Sequence, residues 1–303
     1  MATTTKVSSN PTLADVMDRT DPNGDLADIV EVLTETNEMI PEITWVEANN
    51  KFSHRTTVRT GLPTVTWRKL NYGVQPSKSK TAQVTDTCGM LEAFSRVDKK
   101  LAEINGMLES WRACEARPFL EAMRQEFQRA SWFGASARDP AKIMGFSPRF
   151  STLDPEKAAN AVNVIDAGGT GSDLTSIWLI GWSPNTVHGL FPEGTKAGLY
   201  KEDLGEESAT DEDGGEYRVL KTHFGWDLGL CVRDWRYVVR IANIKASLLK
   251  PVPPDENSGT SHNLSEFLVK DVAKVPSLTG ALFAFYCNRP VETYLRRQQP
   301  NSK

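Results

Sequence analysis

The sequence predicts an α+β protein in which a β-rich stretch, a long helix and a second β-rich stretch follow one another. Three observations carry this. Residues 43–85 hold short runs rich in Thr, Val and Trp, separated by Gly61-Leu62-Pro63 and Gly73-Val74-Gln75-Pro76. From about Met107 to Phe133, apolar side chains at Leu108, Trp111, Cys114, Phe119, Met123, Phe127 and Ala130 recur every three or four places. Beyond Gly168, the text returns to strand-like runs.

Taken in order, Thr12 and Asp15 have capping-box-like spacing before a short helical stretch. Asp21-Pro22-Asn23-Gly24-Asp25 reads as a turn; it resembles a calcium loop only faintly, lacking the alternating ligands and terminal Glu. Leu26, Ile29, Val30 and Leu33 give a helical stripe. Strands are expected at Ile43–Val46, Arg55–Thr60, Val65–Leu70 and Lys80–Thr85. Met90, Leu91, Phe94 and Val97 are helically spaced and predict a helix ahead of the long one. Pro118 predicts a kink or break near Ala113–Cys114.

Gly168-Gly169-Thr170-Gly171-Ser172 lacks the Lys-Ser/Thr of a phosphate loop, and Leu174 stands at the third Gly place of GxGxxG; it reads as a turn into a strand at Thr175–Trp182. Further strands are expected at Tyr217–Phe224, Leu228–Val232 and Trp235–Ile244. Pro251–Asp255 reads as a linker, Asn263–Val272 as an amphipathic helix and Ala281–Tyr286 as a core strand, and Pro290 opens a final helix.

The composition narrows the function. In 303 residues, 35 Lys and Arg face 39 Asp and Glu, a net charge of −4, which excludes a histone-like nucleic-acid binder. The four cysteines at 88, 114, 231 and 287 have no CxxC spacing and are expected to be free thiols in a reducing compartment. The polar first ten residues hold no signal-peptide core, and no apolar run is long enough to span a bilayer, so a cytosolic product is expected. His54, His188, His223 and His262 show no metal-ligand spacing, no Ser sits in GxSxG, and the clustered acids lie in solvated runs. No catalytic residue, cofactor or metal is expected.

The charge is laid out in blocks. Asp15–Glu47 holds ten acids and one base, residues 48–85 no acid and seven bases, and Lys201–Glu216 eight acids and one base. Such blocks repel within one subunit and are accommodated when each meets its opposite on a neighbour. The basic stretch also has too few large apolar residues for a closed core, so it is expected to lie on another copy.

At His54-Arg55-Thr56-Thr57-Val58-Arg59-Thr60-Gly61-Leu62-Pro63 and Gln75-Pro76-Ser77-Lys78-Ser79 the chain resembles the major capsid proteins of short-tailed and related bacteriophages, which adopt the Hong Kong 97-type fold. Asn163–Asp166 with Gly168–Gly171, Leu199–Gly205, Val232–Asn243, and Asn288-Arg289 with Leu295–Gln298 extend the resemblance over about residues 12–299. It implies an N-terminal arm (1–44), an E-loop (45–85), a P-domain with a spine helix (86–140 and 215–250) and an A-domain (141–214 and 251–303). The strands at 217–244 precede helix 263–272, so a permuted connectivity is expected. Relatives continue past the Arg-rich helix where this chain stops at Lys303.

The function so implied is self-assembly through pentamers and hexamers into an icosahedral head around double-stranded DNA. The resemblance further implies a scaffolding protein, a portal and a decoration protein as partners, weak non-specific contact with DNA, no membrane, and assembly in the host cytoplasm. The expected interface sets E-loop residues Arg55, Arg59, Trp67, Arg68, Lys69 and Lys78 against a neighbour's Asp25, Asp28, Glu31 and Glu35, or Glu202, Asp203 and Glu206. Some capsids of this fold crosslink Lys to Asn; Lys69, Lys78 and Lys80 are available, but no partner site is visible and no crosslink is expected. The competing readings are a monomeric Trp-rich binding module, for glycans for example, and, more weakly, a hydrolase using clustered acids.

Overall fold

The computed structural model describes residues 11, 38–103, 108–211, 213–249 and 264–298. The expected helix at 26–33, the turn at 21–25 and the linker at 251–255 lie outside them. In chain order the elements are α1 (Met39–Glu42), β1 (Trp45–Glu47), β2 (Ser53–Gly61), β3 (Lys80–Asp98), α2 (Lys99–Glu103), α3 (Leu108–Phe133) and α4 (Phe146–Arg149). There follow β4 (Val164–Asp166), β5 (Leu174–Trp182), β6 (Val187–Phe191), β7 (Tyr200–Thr210), β8 (Glu216–Val232), β9 (Val238–Lys245), α5 (Leu264–Lys274), β10 (Leu282–Tyr286) and α6 (Arg289–Gln298).

One mixed sheet runs β2-β3-β8-β6-β5-β9-β4, with β7 beside β8, β1 beside β6 and β10 beside β5. Strands β8 and β9, the region whose place in the chain order suggested a permuted connectivity, both belong to it. β7 and β6 share the same partner end to end: β7 pairs with Glu216–Gly225 of β8, and β6 with Gly229–Val232.

Helix α3 lies against this sheet. Its Ala116, Met123 and Phe127 are buried, and Phe119, Leu120, Ala130 and Trp132 pack beside them onto Phe224, Trp226, Leu228 and Leu230 of β8 and Trp178 and Trp182 of β5. Phe119 stacks on Phe224 at 5.3 Å between centroids, and Phe127 meets Trp226 at 5.0 Å. Each ring buried here contributes on the order of 2–3 kcal/mol. That packing explains why the helix runs on unbroken through Pro118, where a break was predicted. Pro118 stands on the exposed side of the helix, away from that packed face. Gly189 shows the closeness of the packing elsewhere: it pairs with Trp45, and a Cβ on it would come within 2.6 Å of the indole.

The predicted helix at 90–97 is instead the second half of β3. Burial alternates strictly from Met90 to Val97, with Leu91, Ala93, Ser95 and Val97 turned inward. Met90 and Phe94 are exposed on the opposite face, and these two outward apolar residues produced the helical spacing. Pairing of Cys88–Asp98 with Val219–Gly229 satisfies the backbone over the whole stretch, which outweighs a local preference. The run Val65–Leu70 forms no strand, because no described segment pairs with it. Tyr217–Phe224 and Leu228–Val232 fuse into the single strand β8.

α5 carries an anomaly. Its inward stripe is Leu264, Phe267, Leu268, Asp271 and Val275. Asp271 is fully buried, and neither carboxylate oxygen has a hydrogen-bond partner. Burial pushes its carboxyl from 3.8 up to about 8. A raised carboxylate pKa makes its contribution to stability complete below pH 3.8 and progressively lost as pH climbs to about 8, a loss on the order of 5 kcal/mol. Asp271→Leu therefore stabilises the unassembled subunit, by at least about 2 kcal/mol at pH 8 and far less at pH 4. Urea denaturation at the two pH values checks this; an equal shift at both rejects it.

Candidate assembly interface

β2 and β3 form the stem of a long hairpin, in register from Ser53 opposite Thr87 to Gly61 opposite Lys80, with an irregularity between Arg59 and Gly61. β2 pairs with β3 alone. Between the strands, residues 62–79 form an open loop in which every residue is exposed. Local bonds hold its shape: the Tyr72 amide donates to the Lys69 carbonyl at 3.2 Å, and Ser77 Oγ donates to the Thr64 carbonyl at 2.8 Å. Asn71 takes φ 65°, a left-handed turn position that Asn tolerates better than most residues.

The loop is apolar where a solvent loop should not be. Trp67 is 103% exposed, Val65 88%, Leu70 87% and Leu62 80%, and Tyr72 stands out beside them. So many exposed large apolar side chains within one loop are unusual on a solvated surface. The sequence singled out Trp67 among them; Val65 and Leu70 were concealed by reading 65–70 as a strand, and Leu62 and Tyr72 were not picked out. Around this set stand Arg55, Arg59, Arg68, Lys69, Lys78 and Lys80, all exposed. Among the described residues, none of these has an acidic side chain within 4.0 Å.

The acidic candidates are placed differently. Asp25, Asp28, Glu31 and Glu35 lie outside the described residues. Glu202, Asp203 and Glu206 sit on β7. Asp203 lies 2.6 Å from Arg112 of α3, whose hydrogen bond, helped by the Gly205 amide, draws its carboxyl down to about 2. Glu206 lies 2.5 Å from Lys99 of α2, which lowers its pKa, and the neighbouring Glu207 lies 2.8 Å from Lys221. These acids hold β7 to their own subunit. Glu202 is the open one, its side chain 64% exposed with His223 at 3.9 Å.

The remaining sequence candidates resolve into packing. Trp45, Trp132, Trp178, Trp182 and Trp226 join the core beneath α3, so they present no aromatic binding face. His223 stacks on Phe94 at 4.6 Å. The four cysteines are free. No described helix is long and apolar enough to cross a membrane. His188 is fully buried, and the structure brings it together with His54 and Cys231, a grouping that no sequence spacing signalled.

Comparison with known proteins shows the family. The family model described as major capsid protein GP7 matches residues 21–303. Among solved structures, a chain of bacteriophage Epsilon15 is 33% identical, with a TM-score of 0.75 over 100% of this chain and 89% of that one. Weaker likenesses include a chain of Microbacterium phage Oxtober96, 13% identical with a TM-score of 0.45 over 76% of this chain and 98% of that one. The capsid of the native GTA particle gives 10% identity and a TM-score of 0.45 over 72% and 95%. No curated protein matches. The fold is the α+β Hong Kong 97-type capsid fold, the family is structural rather than enzymatic, and the binding-module alternative finds no support. The chain belongs to the GP7 family of major capsid proteins, tailed-phage subunits that self-associate into the capsid of the virion.

Proposed function

We propose that this subunit assembles in the host cytoplasm into pentamers and hexamers, which close an icosahedral head around double-stranded DNA. The E-loop, residues 45–85, lies across the adjacent subunit. Its basic residues Arg55, Arg59, Arg68, Lys69 and Lys78 meet that neighbour's acids, and Trp67 is buried in the contact. The observation that carries this reading is residues 62–79: wholly exposed, apolar at the centre and basic around it, with no ion-pair counterpart among the described residues.

Asp203 and Glu206 are already paired within the chain, so the open carboxylate of Glu202 and the arm acids Asp25, Asp28, Glu31 and Glu35 are the partners we favour. A surface ion pair contributes only about 0–1 kcal/mol, but repetition around every ring sets the register. The division into arm (1–44), E-loop, P-domain (86–140 and 215–250) and A-domain (141–214 and 251–303), with a permuted connectivity, belongs to the same reading. So do a scaffolding protein, a portal and a decoration protein as partners, and only weak contact with the packaged DNA. The net charge of −4 suits an inner wall that does not grip nucleic acid.

Electron microscopy of the purified chain, alone and with its scaffolding partner, is expected to show rings, shells or tubes. A subunit that stays monomeric under both conditions, with residues 62–79 protected from proteolysis, overturns the proposal.

A further inference from the structure

The E-loop stem leaves the sheet at one row of side chains. His54 of β2 stands opposite Asp86 of β3, and His188 of β6 stands opposite Cys231 of β8. The β3–β8 register ends at Cys88 opposite Gly229, so two residues further on Asp86 faces Cys231. The ends of the row meet: the rings of His54 and His188 lie 5.5 Å apart, edge to face. One ligand atom from each of His54, His188 and Cys231 lies within 4.8 Å of the others.

The row is short of hydrogen bonds. His54 Nδ1, both ring nitrogens of His188, and Asp86 Oδ2 are buried without a partner. His188 and Cys231 are fully buried, and Asp86 is 5% exposed. An orphaned polar atom in the interior is costly, and here several meet at one point. Burial holds both imidazoles in the neutral, ligating form, with His188 drawn down to about 4. It pushes the Cys231 thiol up to about 12. The surrounding charges are Asp86, Arg149 and Arg233.

The geometry points to a transition-metal site of the zinc class at His54, His188 and Cys231, pinning the root of the E-loop to the body of the subunit. Two imidazole nitrogens and a thiolate are a soft, nitrogen–sulfur donor set suited to Zn²⁺ or Co²⁺. In a tetrahedral site these atoms stand roughly 3.4–3.6 Å apart, so the row needs a closure of only about 1 Å. Binding follows Cys–SH + M²⁺ → Cys–S–M⁺ + H⁺. The proton goes to solvent and no electron moves; the Asp86 carboxylate stays paired with Arg149, so the occupied site carries one net positive charge. Thr56 Oγ1 of β2 already lies 3.9 Å from Cys231 Sγ of β8, and a bound ion would add a second, stronger tie from β2 to β6 and β8.

Titration of the full chain with Co²⁺, then Zn²⁺, tests this. The expected result is a thiolate-to-cobalt charge-transfer band that saturates at one ion per subunit, with one proton released per ion and the band lost when Zn²⁺ displaces cobalt. Cys231→Ser removes the band, and His54→Gln, at a half-buried position that tolerates it, weakens binding by more than about tenfold. Zn²⁺ also slows amide exchange at 53–61 in the wild type but not in His54→Gln. The inference is overturned if excess cobalt gives no band, if the band survives in Cys231→Ser and so arises from another cysteine, or if His54→Gln binds as the wild type does. Should Cys231→Ser fail to fold, His54→Gln decides alone.

Discussion

Arg59→Glu with Arg68→Glu abolishes shell formation while leaving the subunit folded. Both side chains are exposed and have no acidic partner among the described residues, so reversing them removes no described contact that holds the monomer together. In the assembled shell the effect has the opposite weight. Each reversal replaces a weak attraction by a repulsion against an acidic neighbour, and each subunit carries two. A loss of about 1.4 kcal/mol per contact lowers pairwise association about tenfold, and every contact in a closed shell suffers it. Particle yield by sedimentation and electron microscopy is expected to fall to background, with unchanged circular dichroism of the subunit. Trp67→Ala acts on the same contact through lost apolar burial and produces the same defect without altering charge. Wild-type particle yields from the double reversal would refute the electrostatic part; wild-type yields from Trp67→Ala would refute the apolar part.

Arg149→Met destabilises the subunit itself, by about 3–5 kcal/mol. Arg149 lies at the end of α4 with its side chain 15% exposed, and its Nη2 donates to Asp86 Oδ1 at 2.7 Å. The same nitrogen donates to the carbonyls of Leu230 and Met144 at 3.2 Å. One guanidinium thus ties β3, β8 and the segment before α4 together. Methionine fills much of the volume but leaves the Asp86 carboxylate buried at 4% exposure without its cation. The measurement belongs on the unassembled subunit, since assembly stabilises the fold by mass action. Arg149→Met with Asp86→Leu is expected to recover most of the loss, because the burden lies in the unpaired charge rather than in the missing contact. A single variant within about 1 kcal/mol of wild type rejects the assignment.

How far the sequence reached is visible in particular residues. The long helix at 108–133, the strand at 174–182, the amphipathic helix after 263 and the core strand at 282–286 were legible because their apolar periodicity coincides with what they bury. The E-loop was legible as a basic ribbon without a core. Residues 88–98 were misread because Met90 and Phe94 face outward, so the apolar spacing there does not describe the buried face. Asp203 and Glu206 looked like free acids in a solvated run, whereas Arg112 and Lys99, some ninety and more residues away in the chain, claim them. His54, His188 and Cys231 carry no spacing signal at all, because the register of β2, β3, β6 and β8, not distance along the chain, brings them together.

By itself, then, the sequence settled the α+β class, the long helix and the presence of a basic ribbon. Those properties are local: periodicity, turn chemistry and charge are written in neighbouring residues. Which face of β3 is buried, which acids are taken, and which histidines meet a cysteine were decided only by the tertiary structure. They depend on strand register and sheet twist, which arise when segments far apart in the chain pair through backbone hydrogen bonds that carry no record of side-chain identity.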